Sequence, residues 1–304
     1  MTTNRLHIKM ATEAVSPNKR SDGALSAVTC IAPTGPNLPL VIDSPHSGRY
    51  YPPEFHYGVS LESLQRMEDG FVDQLLKDVP NHGATLLTAN FARAFIDTNR
   101  AEDDIDVGML DGGWPNPVNP THKSAIGVGL VFKRNLEGAP IHTRTLTTNE
   151  LLGRIETYYR PYHHALRQAL DATHKQFGFV LHLNCHSMPT FALGAKSTRR
   201  PDFCLGDRYG RTCAPAFTEL AASTLRAMGF RVAINDPYAG AELVSRYGAP
   251  TQGRHSLQIE INRALYMDEQ AHRLHIGATR IADSIIKLIE ALGAQYKNHA
   301  LAAE

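Results

Sequence analysis

The sequence predicts an α/β fold in a single domain, because short apolar runs closed by Pro or Gly alternate with longer amphipathic stretches. Hydrophobic residues make up 42% of the 304 residues and charged residues 20%, as in ordinary folded proteins. The formal net charge of +1 argues against nucleic acid or an anionic membrane surface as a partner. No apolar run reaches the ~20 residues that span a bilayer.

The chain begins with a segment of mixed, polar composition that has no sustained period. We expect residues 1–37 to form a loosely structured extension with one short strand near Val28–Ile31, residues 38–296 to form the domain, and residues 297–304 to form a tail. The four cysteines show no CxxC pair and no disulfide-like spacing, which fits reduced thiols. The N-terminus lacks the apolar region of a signal peptide, so a cytoplasmic location is expected.

The clearest predicted strand is the run Pro39-Leu-Val-Ile42, which is followed by the turn Asp43-Ser-Pro-His-Ser-Gly48. In open α/β sheets, ligands bind just beyond the carboxyl ends of the strands. His46 therefore lies where a ligand or a general base would lie.

The remaining elements follow in order along the chain. A helix is predicted over about 60–79 with a break near 68–70, and another runs from about 148 to 175, where Pro161 should kink or divide it. Residues 101–146 form a long irregular segment, for which we consider a lid over the site or a surface excursion. The other predicted elements are strands at 84–88, 93–97, 177–183, 231–234 and 256–261, and helices at about 210–228 and 269–294.

Polar side chains follow four of the predicted strands or lie near their ends: His46, the run Asp97-Thr-Asn-Arg100, His186 and Glu260. Two histidines and a carboxylate can hold a catalytic zinc ion, which takes three protein ligands and leaves one position for water. A second carboxylate could then act as general base. Arginines could bind an anionic substrate through forked hydrogen bonds.

Each of these residues also has an ordinary structural interpretation. His182 and His186 form a His-x-x-x-His pair, but the preceding apolar run predicts a strand, so His186, beyond its predicted end, is the better ligand candidate. Arg93, Asn99 and Arg100 could instead form structural ion pairs.

Together, these motifs resemble the N-formylglutamate amidohydrolase family. The resemblance runs from about Pro39 to Glu269 in chain order. That family is similar in fold to zinc carboxypeptidases and aspartoacylases, which implies a zinc-exopeptidase-like (phosphorylase/hydrolase-like) mixed sheet of about eight strands flanked by helices. The motifs are Ser44-Pro-His-Ser-Gly48, Phe95-Ile-Asp-Thr-Asn-Arg100, Asn184-Cys-His-Ser-Met188, Gln258-Ile-Glu260 and Ala264-Leu-Tyr-Met-Asp-Glu269.

The resemblance implies one zinc ion (Zn2+) held by His46, Asp69 and His186. It also implies that Glu260 is the catalytic carboxylate, which activates a water molecule and passes its proton to the leaving amine. Arg93 lies near the place of the arginine that polarises the scissile carbonyl in aspartoacylases.

Two substrate contacts are implied as well. Asn99 and Arg100 look like the aspartoacylase-type pair that binds a substrate carboxylate. Arg246, in a glycine-containing loop, could contact a second carboxylate.

Spacing alone does not select the carboxylate ligand. The His-x-x-Glu spacing of zinc carboxypeptidases is absent, because Arg49 stands three residues after His46. Glu68, Asp69 and Asp73 therefore compete, and Asp69 matches the family's acidic position before the Leu-containing helix.

We therefore expect a zinc-dependent amidohydrolase of the N-formylglutamate deformylase type, which cleaves N-formyl-L-glutamate to glutamate and formate in histidine degradation. The alternatives are hydrolysis of another N-acyl amino acid, a non-catalytic binding protein for acidic amino acids, and a cysteine amidase using Cys185 beside His186. The last is disfavoured because neighbouring residues on a strand point to opposite faces. The expected partner is a small-molecule N-acyl amino acid, with neither nucleic acid nor membrane, and the oligomeric state is left open.

Overall fold

A seven-stranded mixed β-sheet with helices on both faces forms the centre of the computed structural model. The structure describes residues 25–191 and 200–303, with side chains up to residue 295. In chain order the strands are β1 (Val28–Ile31), β2 (Leu40–Ser44), β3 (Thr85–Ala89), β4 (Leu110–Asp111), β5 (Leu146–Thr147), β6 (Val180–Met188), β7 (Phe203–Gly206), β8 (Val232–Ile234), β9 (Arg254–Asn262), β10 (Met267–Asp268) and β11 (Arg273–Leu274). The helices are α1 (Leu61–Gln65), α2 (Val72–Leu75), α3 (His122–Ala125), α4 (Thr148–Arg154), α5 (Arg160–Phe177), α6 (Pro215–Ala227), α7 (Glu242–Tyr247) and α8 (Gly277–Ala303).

The strand order of the main sheet is β1-β3-β2-β6-β9-β7-β8. Strands β3, β2, β6 and β9 are parallel, whereas β1 and β7 run antiparallel to β3 and β9. The predicted α/β class with a mixed sheet is confirmed, with seven strands in the main sheet. The carboxyl ends of the four parallel strands lie at one edge, and the antiparallel strand β7 begins at that same edge.

Alternate residues along β6 face opposite sides of the sheet. His182 lies on the polar side, where its ring is 3.0 Å from Asp43 Oδ1 and 2.7 Å from Ser256 Oγ. It is therefore a hydrogen-bonded sheet histidine, as its strand context predicted. The alternate apolar residues pack into the core beside α2, α6 and α8, and they are Leu181, Leu183 and Cys185.

The second core lies on the other face of the sheet, beneath α4 and α5. The irregular segment 101–146 contributes to it, because Leu130 and Phe132 are buried there. Among its described residues the segment contains only short elements, namely α3, β4, the first residue of β5 and a 3₁₀ turn. Its later part is therefore packed into the domain, whereas residues 111–123 are mostly exposed, so the segment combines both characters.

The strand predicted over residues 93–97 is wrong. The Phe95 amide donates to the Ala92 carbonyl at 3.0 Å and the Asp97 amide to the Leu130 carbonyl at 2.8 Å, so this segment forms turns. Its apolar character reflects burial of Phe95 and Ile96 in the core.

The predicted end of the strand before His186 is also wrong. Strand β6 continues to Met188 and pairs with β9 from Val180↔Arg254 to Met188↔Asn262. His186 therefore lies inside the strand. A buried strand can continue through polar residues when each polar side chain has a hydrogen-bond partner.

The predicted helices match the structure with shifted ends. The helix expected over 60–79 is broken near 68–70 as predicted, into α1 and α2. The predicted long helix is continuous from Thr148 to Phe177, but its hydrogen-bond pattern changes to a π-helical turn over Ile155–Tyr159, directly before Pro161 in the first turn of α5. Helix α8 begins later than expected and continues to Ala303.

The strand expected near Val28–Ile31 is confirmed, and it pairs with β3. The rest of the predicted extension up to residue 24 lies outside the described residues, and the domain boundaries stay predictions. Within the ranges that the structure describes, every helix is too short or too polar to cross a lipid bilayer.

Candidate active site

The site is built at the edge of the sheet where the parallel strands end. His46 follows β2, and His186 and Glu260 are register partners on β6 and β9. The Asp69 amide donates to the His46 carbonyl at 3.0 Å, which fixes the loop between α1 and α2 against the turn after β2. Four distant parts of the sequence therefore meet at this edge.

His46, Asp69 and His186 form a buried cluster whose potential ligand atoms all lie within 4.8 Å of one another. Asp69 Oδ2 is 3.2 Å from His46 Nδ1 and 2.9 Å from His186 Nδ1. Two ligands about 2 Å from a tetrahedral ion are separated by roughly 3.3 Å, so these spacings fit a shared ion.

The other ring nitrogen of each histidine has its own partner. His46 Nε2 is 2.7 Å from Asp97 Oδ1, and His186 Nε2 is 2.7 Å from Asn184 Oδ1. The Asn184 amide is oriented by donating to Asp43, so its oxygen faces His186. The carboxylate of Asp97 can only accept, so His46 donates from Nε2 and presents its Nδ1 lone pair to the cluster. The Asn184 oxygen favours the same tautomer for His186.

This donor set fits a cation. When the rings carry their hydrogen on Nε2, two Nδ1 lone pairs and a carboxylate oxygen converge, and a cation between them would stabilise this arrangement. Burial alone would raise the pKa of Asp69, but the neighbouring imidazoles of His186 and His46 hold it well below its usual range. Burial lowers the pKa of His186, which favours the neutral ligand form.

Glu260 lies beside this cluster and has the character of a proton acceptor. Burial, followed by the negative charge of Asp69, raises the pKa of its carboxyl group well above the ordinary value. Gln258 donates to Glu260 Oε1 at 2.9 Å and orients it. A carboxylate with a raised pKa can accept a proton near neutral pH and return it later in the reaction.

Arg93 and Arg100 lie on either side of Asp97. Arg93 Nη2 is 2.8 Å from Asp97 Oδ2, and its Nε is buried without a hydrogen-bond partner among the described residues. Arg100 donates from Nε to Val128 O at 3.0 Å and from Nη1 to Asn99 O at 2.9 Å. Both arginines line the cavity above the cluster.

Asn99 lines the cavity and also contacts residues that surround the cluster. Its Oδ1 accepts from the Leu243 amide at 2.8 Å, and its Nδ2 lies 3.1 Å from His186 Nε2. The structure therefore brings Asn99 into contact with one of the predicted metal ligands, a relationship that the sequence did not reveal.

The two competing carboxylates, Asp73 and Glu68, have partners other than the two histidines. Asp73 forms an ion pair with Arg49 at 2.9 Å. Glu68 is buried, accepts a hydrogen bond from the Tyr51 hydroxyl, and has a pKa raised to about 8, mainly by burial. Of the three candidates, Asp69 is the one in contact with both histidines.

Arg246, predicted to contact a second carboxylate, is not brought to the cavity. It lies on α7, where Nη2 pairs with Glu242 at 2.7 Å and the guanidinium lies 5.9 Å from the centre of the Tyr159 ring. The glycine-containing loop was the correct region, because Tyr238 to Ala241 line the cavity, but helix formation turns Arg246 away from it.

The cavity above the cluster has a volume of about 500 Å³, a size that suits a small ligand. Its wall is rich in cations, four of which the sequence analysis missed. Arg263 could have been predicted from its position just after β9. Arg200 could be predicted only if the antiparallel direction of β7 were known. The cavity-lining cations are Arg66, Arg93, Arg100, Lys123, Arg200 and Arg263.

Comparisons with known proteins agree with this architecture. Residues 38–267 match the family model of N-formylglutamate amidohydrolase. The crystal structure of N-formylglutamate amidohydrolase from Ralstonia eutropha JMP134 is 42% identical, covers 90% of this chain and 100% of that chain, and superposes with a TM-score of 0.87.

Two further proteins are less similar to this chain. N-formylglutamate deformylase from Pseudomonas putida is 29% identical over 236 residues, which cover 76% of this chain and 83% of that protein. A gene product of Agrobacterium tumefaciens shares the fold at 18% identity, with a TM-score of 0.66 and coverage of 88% of this chain and 96% of that chain.

Proposed function

The chain belongs to the N-formylglutamate amidohydrolase family, and from that premise we propose that it hydrolyses N-formyl-L-glutamate to L-glutamate and formate. The observation that carries the proposal is the convergence of His46, Asp69 and His186 beside Glu260 at a cation-lined cavity. A place in histidine degradation and a cytoplasmic location stay predictions.

We infer that His46, Asp69 and His186 hold one divalent metal ion, for which zinc is the expected identity. Two imidazoles and a carboxylate form a ligand set typical of catalytic zinc. When bound, such an ion supplies Lewis-acid polarisation and lowers the pKa of water to about 7. Asp97 and Asn184 keep the two imidazoles in the tautomer that can bind it.

Glu260 acts as the general base and then as the general acid. It takes a proton from the attacking water and delivers that proton to the nitrogen that leaves with glutamate, so no net proton remains on the enzyme at this step. Its burial and its hydrogen bond from Gln258 hold the carboxylate on the cavity side of the cluster.

The cationic wall binds the substrate and stabilises charge. Arg93, which lines the cavity beside Asp69, would donate to the formyl oxygen as negative charge develops there. Arg100, supported by Asn99, binds one substrate carboxylate through a charge-assisted hydrogen bond.

The geometry disfavours a cysteine nucleophile. Cys185 lies in the core on the face of β6 opposite His186, and burial raises the pKa of its thiol well above the ordinary value. A thiol in these surroundings stays protonated and cannot reach the cavity. The Cys185→Ala variant should therefore retain formate release.

A formate-release assay on the purified protein tests the proposal. Wild-type protein should release formate from N-formyl-L-glutamate, and Glu260→Gln should lower kcat by about 10²–10⁴-fold because the proton acceptor is lost. Glu219→Gln, at an exposed position on α6, is the matched control and should keep full activity. Full turnover by Glu260→Gln would contradict the assigned role, and no turnover by wild type would contradict the function.

A further inference from the structure

The substrate of the proposed reaction carries two carboxylates, and Arg100 accounts for one of them. The second contact remains to be assigned, because Arg246 is engaged with Glu242 on α7. The assignment that follows rests on the proposed function and concerns the same cavity.

The hydrogen bonds of the other cavity-lining arginines show which are already engaged. Arg263 donates to Ser187 Oγ and to the carbonyls of Arg66 and Glu68, so each of its nitrogens has a protein partner. Arg66 pairs with Glu137 at 2.7 Å near the exposed rim. Neither presents an open guanidinium edge to a ligand.

Arg200 differs from these residues. Its Nη1 donates to the Tyr238 hydroxyl, and its guanidinium carbon lies 5.1 Å from the centre of the Tyr238 ring. Its Nε is buried without a hydrogen-bond partner among the described residues, and no carboxylate in the described ranges pairs with it within 4.0 Å. A cavity-lining guanidinium without a carboxylate partner is suited to bind an anionic ligand through charge-assisted hydrogen bonds.

The backbone around Arg200 is fixed before any ligand binds. The Arg200 amide donates to Thr190 O at 3.0 Å, and its carbonyl accepts from Arg231 Nη2 at 2.9 Å. Asn262 Nδ2 donates to the adjacent Pro201 carbonyl at 3.0 Å. A backbone that is already ordered reduces the entropy lost when the Arg200 side chain binds a ligand.

The position of Arg200 suits the second end of a dicarboxylate. Asn99, next to Arg100, contacts His186 on β6, whereas Arg200 precedes β7 and lines the same cavity beyond the intervening strand β9. Adjacent strands lie about 4.8 Å apart. The two carboxylate carbons of extended glutamate are separated by roughly 5 Å, which is four carbon–carbon bonds of about 1.5 Å.

We propose that Arg200, together with the hydroxyl of Tyr238, binds the second carboxylate and so determines the preference for dicarboxylic N-formyl amino acids. Tyr238 accepts from Arg200 through its oxygen, which leaves its own O–H free to donate to the same carboxylate. The guanidinium and the hydroxyl then form a receptor for one carboxylate.

Three substrates test this assignment: N-formyl-L-glutamate, N-formyl-L-glutamine and the α-amide of N-formyl-L-glutamate. Arg200→Ala should lower kcat/KM for the dicarboxylate by about 10- to 100-fold. One of the two amides lacks the carboxylate that Arg200 binds, and Arg200→Ala should have little effect on kcat/KM for that amide. Arg100→Ala should show the complementary pattern, sparing the other amide.

Two variants control for folding and charge. Arg200→Lys keeps the charge and should recover part of the loss, while Arg226→Ala removes an exposed arginine on α6 and should change nothing. Melting temperatures compare folding, and if Arg200→Ala does not fold, Tyr238→Phe and Arg200→Lys provide the same substrate contrast. Equal losses on all three substrates, or sparing of the same amide by Arg100→Ala and Arg200→Ala, would overturn the proposal.

Calorimetric titration separates this inference from the proposed function. L-glutamate should bind wild type more tightly than either monoamide, and Arg200→Ala should remove one of these two preferences without any turnover being required. Unchanged preferences would overturn the role of Arg200 even if formate release is confirmed. If the expected differences in binding are found but no formate is released, the proposed reaction is overturned and the role of Arg200 in binding is not.

Discussion

Asp97 is the residue on which the orientation of the proposed metal ligands most depends. It is fully buried, accepts from His46 Nε2 and Arg93 Nη2, and also accepts from the Asn99 amide at 2.8 Å. Burial would raise its pKa, but the neighbouring His46, Arg93 and Arg100 hold it well below the usual range. Asp97 therefore stays ionised and polarises the His46 ring.

Replacing Asp97 with Asn keeps the size of the side chain and removes its charge. We expect metal affinity to fall by about 10- to 100-fold, because the carboxylate partner of a ligating histidine is lost. Competition with a chromophoric chelator measures the affinity. Asp106→Asn, which removes the partner of Lys133 outside the cluster, is the control, and equal affinities for Asp97→Asn and wild type would contradict this role.

At the residue scale, the sequence predicted the groups that follow parallel strands and missed those whose position depends on strand direction. His46 could be predicted from the strand end that precedes it. Arg200 stands before a strand, and it reaches the same edge because β7 runs antiparallel to β9. Sequence periodicity carries no information on that direction.

The turn after β2 positions His46 through a close backbone contact at Gly48. A Cβ atom at Gly48 would lie 2.5 Å from Asn90 C and from Phe91 O, so no larger residue fits without movement of the backbone. The contact ties the turn to the end of β3.

Gly48→Ala should therefore destabilise the protein by about 1–3 kcal/mol, as overpacking does. It should also weaken metal binding, because His46 lies two residues away. Gly153→Ala is the matched control: its Cβ meets nothing within 4 Å in helix α4, and we expect stabilisation by about 0.5–1 kcal/mol. Urea unfolding measures both, and equal effects would show that the contact at Gly48 does not matter.

At the element scale, the existence of most strands and helices could be predicted, but two boundaries could not. Residues 93–97 look like a strand because Phe95 and Ile96 are buried, yet their backbone pairs with the distant segment near Leu130. Strand β6 continues past its apolar run because Asn184 and His186 find partners from other elements. Both outcomes depend on contacts that local propensity does not contain.

The stability of the whole molecule should depend on pH through His163. This histidine is buried on α5, its Nδ1 accepts from the Tyr247 hydroxyl at 2.9 Å, and its Nε2 donates to Thr98 O at 3.0 Å. Burial, followed by the charge of Arg246, lowers its pKa to about 3. The folded protein thus keeps His163 neutral at pH values where the unfolded chain binds a proton.

The sign follows from that difference in bound protons. Stability from neutral His163 is fully present above the unfolded pKa of about 6.5 and is lost as pH falls towards 3. We expect wild type to lose about 1.4 kcal/mol of unfolding free energy per pH unit more than His163→Gln below that value. Urea unfolding at pH 7.5, 6 and 5 measures this, and parallel pH profiles for the two proteins would exclude the effect.

At the scale of the whole molecule, the α/β class could be predicted from alternation, whereas the strand order could not. Strand β9 lies between β6 and β7 although it follows both in the sequence. That insertion places Glu260 beside His186 and completes the site. The chemistry therefore depends on long-range strand pairing, which the spacing of motifs does not specify.

The central claim is that His46, Asp69 and His186 hold a metal ion on which formate release depends. Elemental analysis and formate release, measured on the same samples before chelation, after chelation and after zinc is restored, test it most directly. Chelation should remove one divalent ion per chain together with formate release, and restored zinc should bring both back. The Asp69→Ala variant should have neither bound metal nor formate release, before or after zinc is added. Full activity in protein without detectable metal would contradict the account.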